Sequence, residues 1–273
     1  MMKHAQTRMA SLAPQHARTG LQPLTSLSKG LSLLLRLRES KEALNLTEIS
    51  LASGLNKVTV LRLLVTLEKF RFVEKDSQLK KYRIGSNAFH VGSGFISEGI
   101  QNRAFQIMKR LVEDLKHTIT LSVLDGASVL FVERVDGTER VKVTVDTGSR
   151  VPVHSSAAGK ALLAGLSDAE IIARLKPTGP GRAAEATLTS VEGLLVQIAK
   201  VRSCGFAVNN EESTPGLHAV AVPVKTPAGE SIAALGAAFP AGFLKNKEQQ
   251  QKVVRTLQFA AREIGKLGPL IRR

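Results

Sequence analysis

Lys57, Thr59, Arg62 and Thr66 share one face of a short helical stretch, and Lys80, Lys81 and Arg83 follow a little further along. These side chains donate hydrogen bonds to phosphate oxygens and to the acceptor edge of guanine; one bidentate Arg–guanine contact discriminates by about 1–3 kcal/mol. Other residues of chemical interest fail on geometry. HSSAAGKA, residues 154–161, has the outline of a phosphate loop, but His154 stands where the first Gly is required and Ala161 where Ser or Thr should follow Lys160. His154 with Ser155 or Ser156 is no base–nucleophile pair, because neighbours on extended chain point to opposite faces and no G-x-S-x-G elbow is present. Glu211 and Glu212 adjoin a Pro-Gly turn and are expected to be solvated. Six scattered His and one Cys show no metal-ligand spacing. The reading is a binding protein rather than an enzyme, with no metal or cofactor.

The basic residues need a scaffold, and the sequence around them supplies one. Residues 46–53 and 57–69 read as two short helices about Gly54, which can leave a helix through positive φ without steric strain. Thr47 is placed to cap the first, with Glu48 at its positive end, and Asn56 to cap the second. Val60, Leu63, Leu64 and Leu67 make an apolar face behind Lys57, Thr59, Arg62 and Thr66, and Ile49 buries the first helix against the second while small Ser50 lets them cross closely. Any helical hairpin would satisfy that spacing. Two further segments make it a winged helix-turn-helix: an apolar helix at 27–37, with Leu31, Leu34 and Leu35 inward, and a hairpin from Phe72 to Ile84 that turns at Asp76 and Ser77.

Residues 26–85 resemble the winged helix of the IclR family of bacterial transcriptional regulators, through LTEIS, SGL, TVLRLLVTLE and YRIG. GSRVPVHSSAAGKALLA (148–164) and GFAVNNEESTPGLHAVAVPV (205–224) extend the resemblance over nearly all the chain from Ser26 onward. It implies that the second helix enters the major groove. Val58 and Leu61 stand where relatives often have Ser and an aromatic residue or His; they can pack on thymine methyls, so T-rich operator positions are expected there. Lys80, Lys81 and Arg83 would meet phosphates or the minor groove and set register more than sequence.

Composition agrees with that partner. The 273 residues carry 38 Lys and Arg against 23 Asp and Glu, a formal charge of +15. Residues 1–100 hold 15 basic and 7 acidic side chains, so +8 of the excess lies there, where counterion release from phosphates would reward it. A single cysteine, Cys204, excludes an internal disulfide and fits a reducing cytoplasm, and no run of about 18 apolar residues suggests a membrane span. Residues 1–24 read as a disordered basic tail, 25–86 as the DNA-binding domain, 87–100 as a linker helix with Phe89, Val91, Phe95 and Ile96, and 101–273 as the effector-binding and oligomerisation domain.

Within that last domain, an amphipathic helix at 100–116 precedes strands at 118–123, 129–135 and 141–147. Turns at Asp125-Gly126 and Asp136-Gly137 are too short for crossovers and make these strands antiparallel. Ser156 is placed to cap a helix whose small first turn leaves backbone N–H groups open to a carboxylate, with Lys160 as added charge or simply facing solvent. Helices at 167–174 and 190–202 flank a Gly/Pro-rich loop at 177–182; strands at 206–209, 218–224 and 231–239 and a basic helix at 246–267 follow. The expected fold is α+β, with helices around a curved six-stranded antiparallel sheet like that of GAF and PAS sensors.

The resemblance also implies an effector pocket at Ala157 and Ala158, Asn209, Leu217, Ala219, Gly236 and Ala238. Relatives that bind small polar effectors offer Asp, Cys and Ser where this chain has Asn209, Ala219, Gly236 and Ala238, which implies a roomier, less polar pocket for a carboxylate with an aromatic or aliphatic body. The function implied is a ligand-responsive repressor or activator that binds promoter DNA as a homodimer or homotetramer. The alternative is a sensor or scaffold whose DNA binding is vestigial.

Overall fold

The computed structural model describes residues 22–40, 42–95, 98–138, 145–176, 190–244 and 246–268, which fall into two compact units divided near residue 96. The basic tail, apart from residues 22–24, and the loop at 177–182 lie outside the described residues.

The first unit contains α1 (Thr25–Glu39), β1 (Leu44–Asn45), α2 (Leu46–Ser53), α3 (Lys57–Lys69), β2 (Val73–Asp76), β3 (Lys81–Ile84) and α4 (Ser86–Ser93). Leu33, Leu37, Ile49, Val60, Leu64, Val73 and Tyr82 form its core. The chain bends by 109° between α2 and α3, within the range of a helix-turn-helix. Gly54 makes the bend at φ +67°, and Ser50 Oγ donates to the Leu55 carbonyl across it.

Two details of this unit differ from expectation. Asn45, not Thr47, caps α2: its side chain accepts from the Thr47 and Glu48 N–H groups, and the Glu48 side chain accepts from Asn45 N–H, completing a capping box that starts two residues earlier. In α1 the buried stripe is Gly30, Leu33 and Leu37, with Leu34 partly buried, whereas Leu31 and Leu35 are exposed. Leucines at 31, 33, 34, 35 and 37 surround that helix, so spacing alone could not choose a stripe; Gly30, Leu33 and Leu37 are the positions buried in the core of this unit.

The wing is antiparallel, with Val73 opposite Ile84 and Asp76 opposite Lys81; β1 adds a third strand in the order β1-β3-β2. Asp76 Oδ1 accepts from the Gln78 and Leu79 N–H groups and closes the loop. Asn87 at the start of α4 donates to the Phe70 carbonyl, which ties α4 to the end of α3.

The second unit runs α5 (Glu98–Leu115), β4 (Thr118–Asp125), β5 (Ser128–Val135), β6 (Arg150–Pro152), a 3-10 turn (Val153–Ser155), α6 (Ala157–Leu163), α7 (Asp168–Leu175), α8 (Val191–Cys204), β7 (Ala207–Asn210), β8 (Leu217–Lys225), β9 (Ser231–Pro240) and α9 (Lys247–Gly265). Its strands form one antiparallel six-stranded sheet in the order β6-β5-β4-β9-β8-β7. Among the described residues the third strand of this sheet in chain order is Arg150–Pro152, and of the expected strand at 141–147 only residues 145–147 are described, which are not strand. Residues 141–144 lie outside the described residues, and 145–149 form a turn at Gly148, φ +81°, stitched to Phe131 by two backbone hydrogen bonds.

Strand alternation gives the sheet two faces. Ile119, Leu121, Val123, Val220, Val222, Leu235, Ala237 and Phe239 are buried on one, and α5 and α9 pack on β4, β8 and β9. Phe131, Ala207, Ala219, Ala221 and Ala234 belong to the other, with α6, α7 and α8. On the same face of β4 are Thr118, Thr120 and Ser122, hydroxyls buried where alternation alone would place a solvated face. Among the described residues no single helix is long and apolar enough to cross a membrane.

Candidate nucleic-acid interface and effector site

Asn56 Oδ1 accepts from Thr59 N–H and fixes the start of α3. Burial of Val60 and Leu64 then leaves the opposite face in solvent. Val58 is 70% and Leu61 42% exposed; Lys57, Arg62 and Thr66 are exposed and Thr59 is half-buried. The Arg62 side chain makes no hydrogen bond or ion pair with any described residue, so its guanidinium fork is available. Thr66 Oγ1 donates to the Arg62 carbonyl, which occupies its proton within the helix. Val65, 56% exposed and seven residues after Val58, belongs to the same face, and that spacing was legible in the sequence.

The wing residues are not equivalent. Arg83 is bridged to Glu74 at 3.0 Å, whereas Lys80 and Lys81 have no such partner. A cleft of about 660 Å³ between the end of α3 and the wing carries Glu68, Glu74 and Asp76 beside Arg71, Lys75, Lys81 and Arg83. Its mixed charge does not match a run of phosphates.

In the second unit, cross-strand pairing places Asn209, Ala219, Ala238 and Thr118 in one row and Ala207, Ala221, Gly236 and Thr120 in the next. Leu217 lies on the same face at the end of β8, opposite Pro240. Helix α6 packs over these strands, and Ala157 and Ala158 join the cluster that contains Ala219 and Ala221. All seven candidate effector residues therefore gather at one face. Ser156 Oγ accepts from Gly159 N–H, while the N–H groups of Ala157 and Ala158, in the first turn, have no acceptor inside the helix. Gly159 is required by close approach: a Cβ there would overlap the Val153 backbone.

Lys160 and Glu212 contradict the expectation of solvated charge. Lys160 is 1% exposed; its Nζ lies 2.6 Å from Glu212 Oε1 and donates to Gln197 Oε1 at 2.9 Å. Burial holds the Lys160 pKa below its ordinary value, against the hydrogen bond and charge of Glu212. Alternation in GKALLA gives no hint of this, because every residue of α6 is buried and a lysine inside needs a distant partner. The neighbouring Glu211, at φ +60°, stays half-exposed and accepts from Gly216 N–H. No group of three or more His, Cys, Asp or Glu side chains suited to a metal occurs among the described residues.

Comparison with known proteins decides the family. Residues 26–77 match the IclR helix-turn-helix domain and residues 96–266 the bacterial transcriptional regulator IclR C-terminal domain. The chain belongs to the IclR family. It is 34% identical over 198 residues to the HTH-type transcriptional regulator BhcR of Paracoccus denitrificans, covering 72% of this chain and 71% of that one. The acetate operon repressor of Salmonella typhimurium is 32% identical over 242 residues, 84% of this chain and 88% of the other. Among solved structures, the IclR regulator of Alicyclobacillus acidocaldarius superposes with a TM-score of 0.75 at 25% identity, covering 90% and 99% of the two chains. An IclR homolog from Microbacterium hydrocarbonoxydans in complex with 4-hydroxybenzoate gives 0.72 at 24% identity, covering 87% and 98%. This IclR chain is a DNA-binding transcriptional regulator, as its relatives are, and not of an enzyme family.

Proposed function

We propose that this regulator binds promoter DNA in the cytoplasm as a homodimer or a pair of dimers, with α3 in the major groove, and that a small organic acid held beside α6 changes that binding. The observation that carries the reading is the Arg62 side chain, without a partner among the described residues, on an exposed face of a helix whose back is buried and whose start is capped. Lys57 and Arg62 meet base edges or phosphates, Val58 and Leu61 pack on thymine methyls, and Lys80, Lys81 and Arg83 hold the backbone. One recognition helix spans few base pairs, so two-fold assembly supplies the remaining contacts. Residues 25–86 read DNA, 87–100 link, and 101–273 sense and assemble.

The acid carries an aromatic or aliphatic body, because Ala219, Gly236 and Ala238 present little bulk and no polar group. A fold relative crystallised with 4-hydroxybenzoate supports an aromatic carboxylate as one candidate. Coupling, whether to repression or activation, requires the acid to bind one arrangement of the DNA-binding units better than another.

Selection of binding sites from random duplexes should return an inverted repeat with T-rich positions beneath α3. Sites with only G·C pairs there, or without symmetry, would contradict the assignment. A bound acid at 100 times its Kd adds about 2.7 kcal/mol, visible as a rise in melting temperature. Response to neutral polar metabolites but to no acid would overturn the ligand class.

A further inference from the structure

The Asn209 side chain is held by the protein through both its nitrogen and its oxygen. Its Nδ2 donates to the Ser155 carbonyl at 3.3 Å and to Ser213 Oγ at 2.7 Å, and its Oδ1 accepts from Glu212 N–H at 2.8 Å. Both amide protons and one oxygen lone pair are therefore occupied. What Asn209 does is anchor the loop after β7, the loop that Lys160 grips through Glu212.

The three hydroxyls of β4 divide differently. Thr118 Oγ1 accepts from Gly137 N–H at 3.2 Å, and Ser122 Oγ donates to the Ala234 carbonyl at 3.3 Å. Thr120, between them on the same face and only 8% exposed, makes no hydrogen bond through its hydroxyl with any described residue. That hydroxyl leans over Gly236, with Oγ1 3.3 Å from where a Cβ would stand, and Ala221 is the next residue in the row. No long side chain comes from either position. The Thr120 oxygen is not one of the sealed, unpartnered atoms of the described residues, so it stays within reach of a small molecule at this face as a hydrogen-bonding group that no protein group occupies.

We infer that Thr120 is the hydrogen-bonding residue of the effector site and that Asn209 is a positioning residue. The ligand class narrows accordingly to acids that carry a hydroxyl or carbonyl oxygen apart from the carboxylate, the second oxygen meeting Thr120 Oγ1 over Gly236. This rests on the reading of the α6 face as the effector site.

The test is calorimetric titration of the full chain with paired acids: propionate against lactate, and benzoate against 3- and 4-hydroxybenzoate. The wild type should favour the hydroxylated member of at least one pair by about tenfold, equivalent to about 1.4 kcal/mol. Thr120→Val should bring that ratio to about one, and Thr120→Ser should keep it and guard against misfolding. Asn209→Ala should lower the melting temperature without ligand and weaken every acid alike. A wild type that binds acids with no such preference, or a Thr120→Val variant that keeps it, overturns the assignment of Thr120 while leaving the site in place. Loss of preference in Asn209→Ala at unchanged stability would make Asn209 the contact. Binding of no acid by the wild type removes the effector site itself, and this inference with it.

Discussion

The two units of this chain place polarity in opposite ways. On the DNA-binding unit, apolar Val58, Leu61 and Val65 stand in solvent around Arg62. In the second unit, Lys160, Glu212, Asn209 and Thr120 lie inside, among alanines. Each departs from the usual rule of apolar inside and polar outside, and each does so where a ligand of opposite character is argued to bind: a polymer with methyl groups in its groove, and a small molecule with oxygen atoms. The contrast teaches that the sites are found where a side chain is out of place for folding alone.

The largest expected effect comes from breaking the interior pair. Lys160→Met would leave the Glu212 carboxylate buried without its cation, which costs about 3–5 kcal/mol, or a fall in Tm on the order of 10 °C. Lys160→Met with Glu212→Gln should regain most of that loss, because no uncompensated charge is then left buried. An undiminished Tm in the single variant would show that the pair contributes nothing. The pH dependence follows from the same group. The unfolded chain binds the Lys160 proton more tightly than the folded one, so this group's contribution rises with pH and is complete only above the ordinary value of 10.5. Wild-type stability should therefore gain more than Lys160→Met on moving from neutral to alkaline pH; parallel profiles would contradict the assigned shift.

A second perturbation sharpens the DNA side. Arg62→Ala should remove about 1–3 kcal/mol of specific affinity per half-site, concentrated at one base position. Lys81→Ala should instead weaken all duplexes alike and reduce the steepness of the salt dependence by about one phosphate contact. Equal behaviour of the two variants on specific and random DNA would dissolve the distinction between reading and holding. The smallest effect is expected for Asn45→Ala, which removes the α2 cap and should destabilise the DNA-binding unit by about 1 kcal/mol in denaturant unfolding.

Much of the fold was legible because its determinants are local. Gly54, Asn56 and the spacing of Val60 and Leu64 define the helix-turn-helix without distant residues. The inward face of α1 was not, since its leucines surround the helix and the stripe is chosen only by packing with Ile49, Val60, Leu64 and Tyr82. Interior polarity was illegible for a related reason. Lys160 and Glu212 lie 52 residues apart and Thr120 opposes Gly236 across the sheet, so their partners exist only after the strands have paired. Glu212 beside a Pro-Gly turn and Thr118-x-Thr120-x-Ser122 on a strand both look like solvated surface when tertiary neighbours are unknown.

The most direct test of specific DNA reading through α3 is a gel shift with the wild type and Arg62→Ala on the DNA upstream of the protein's own gene. It should be run at two salt concentrations with excess nonspecific competitor. The account predicts a competitor-resistant wild-type complex that weakens steeply with salt, and its loss in a folded Arg62→Ala variant. A specific complex that survives Arg62→Ala unchanged would contradict it.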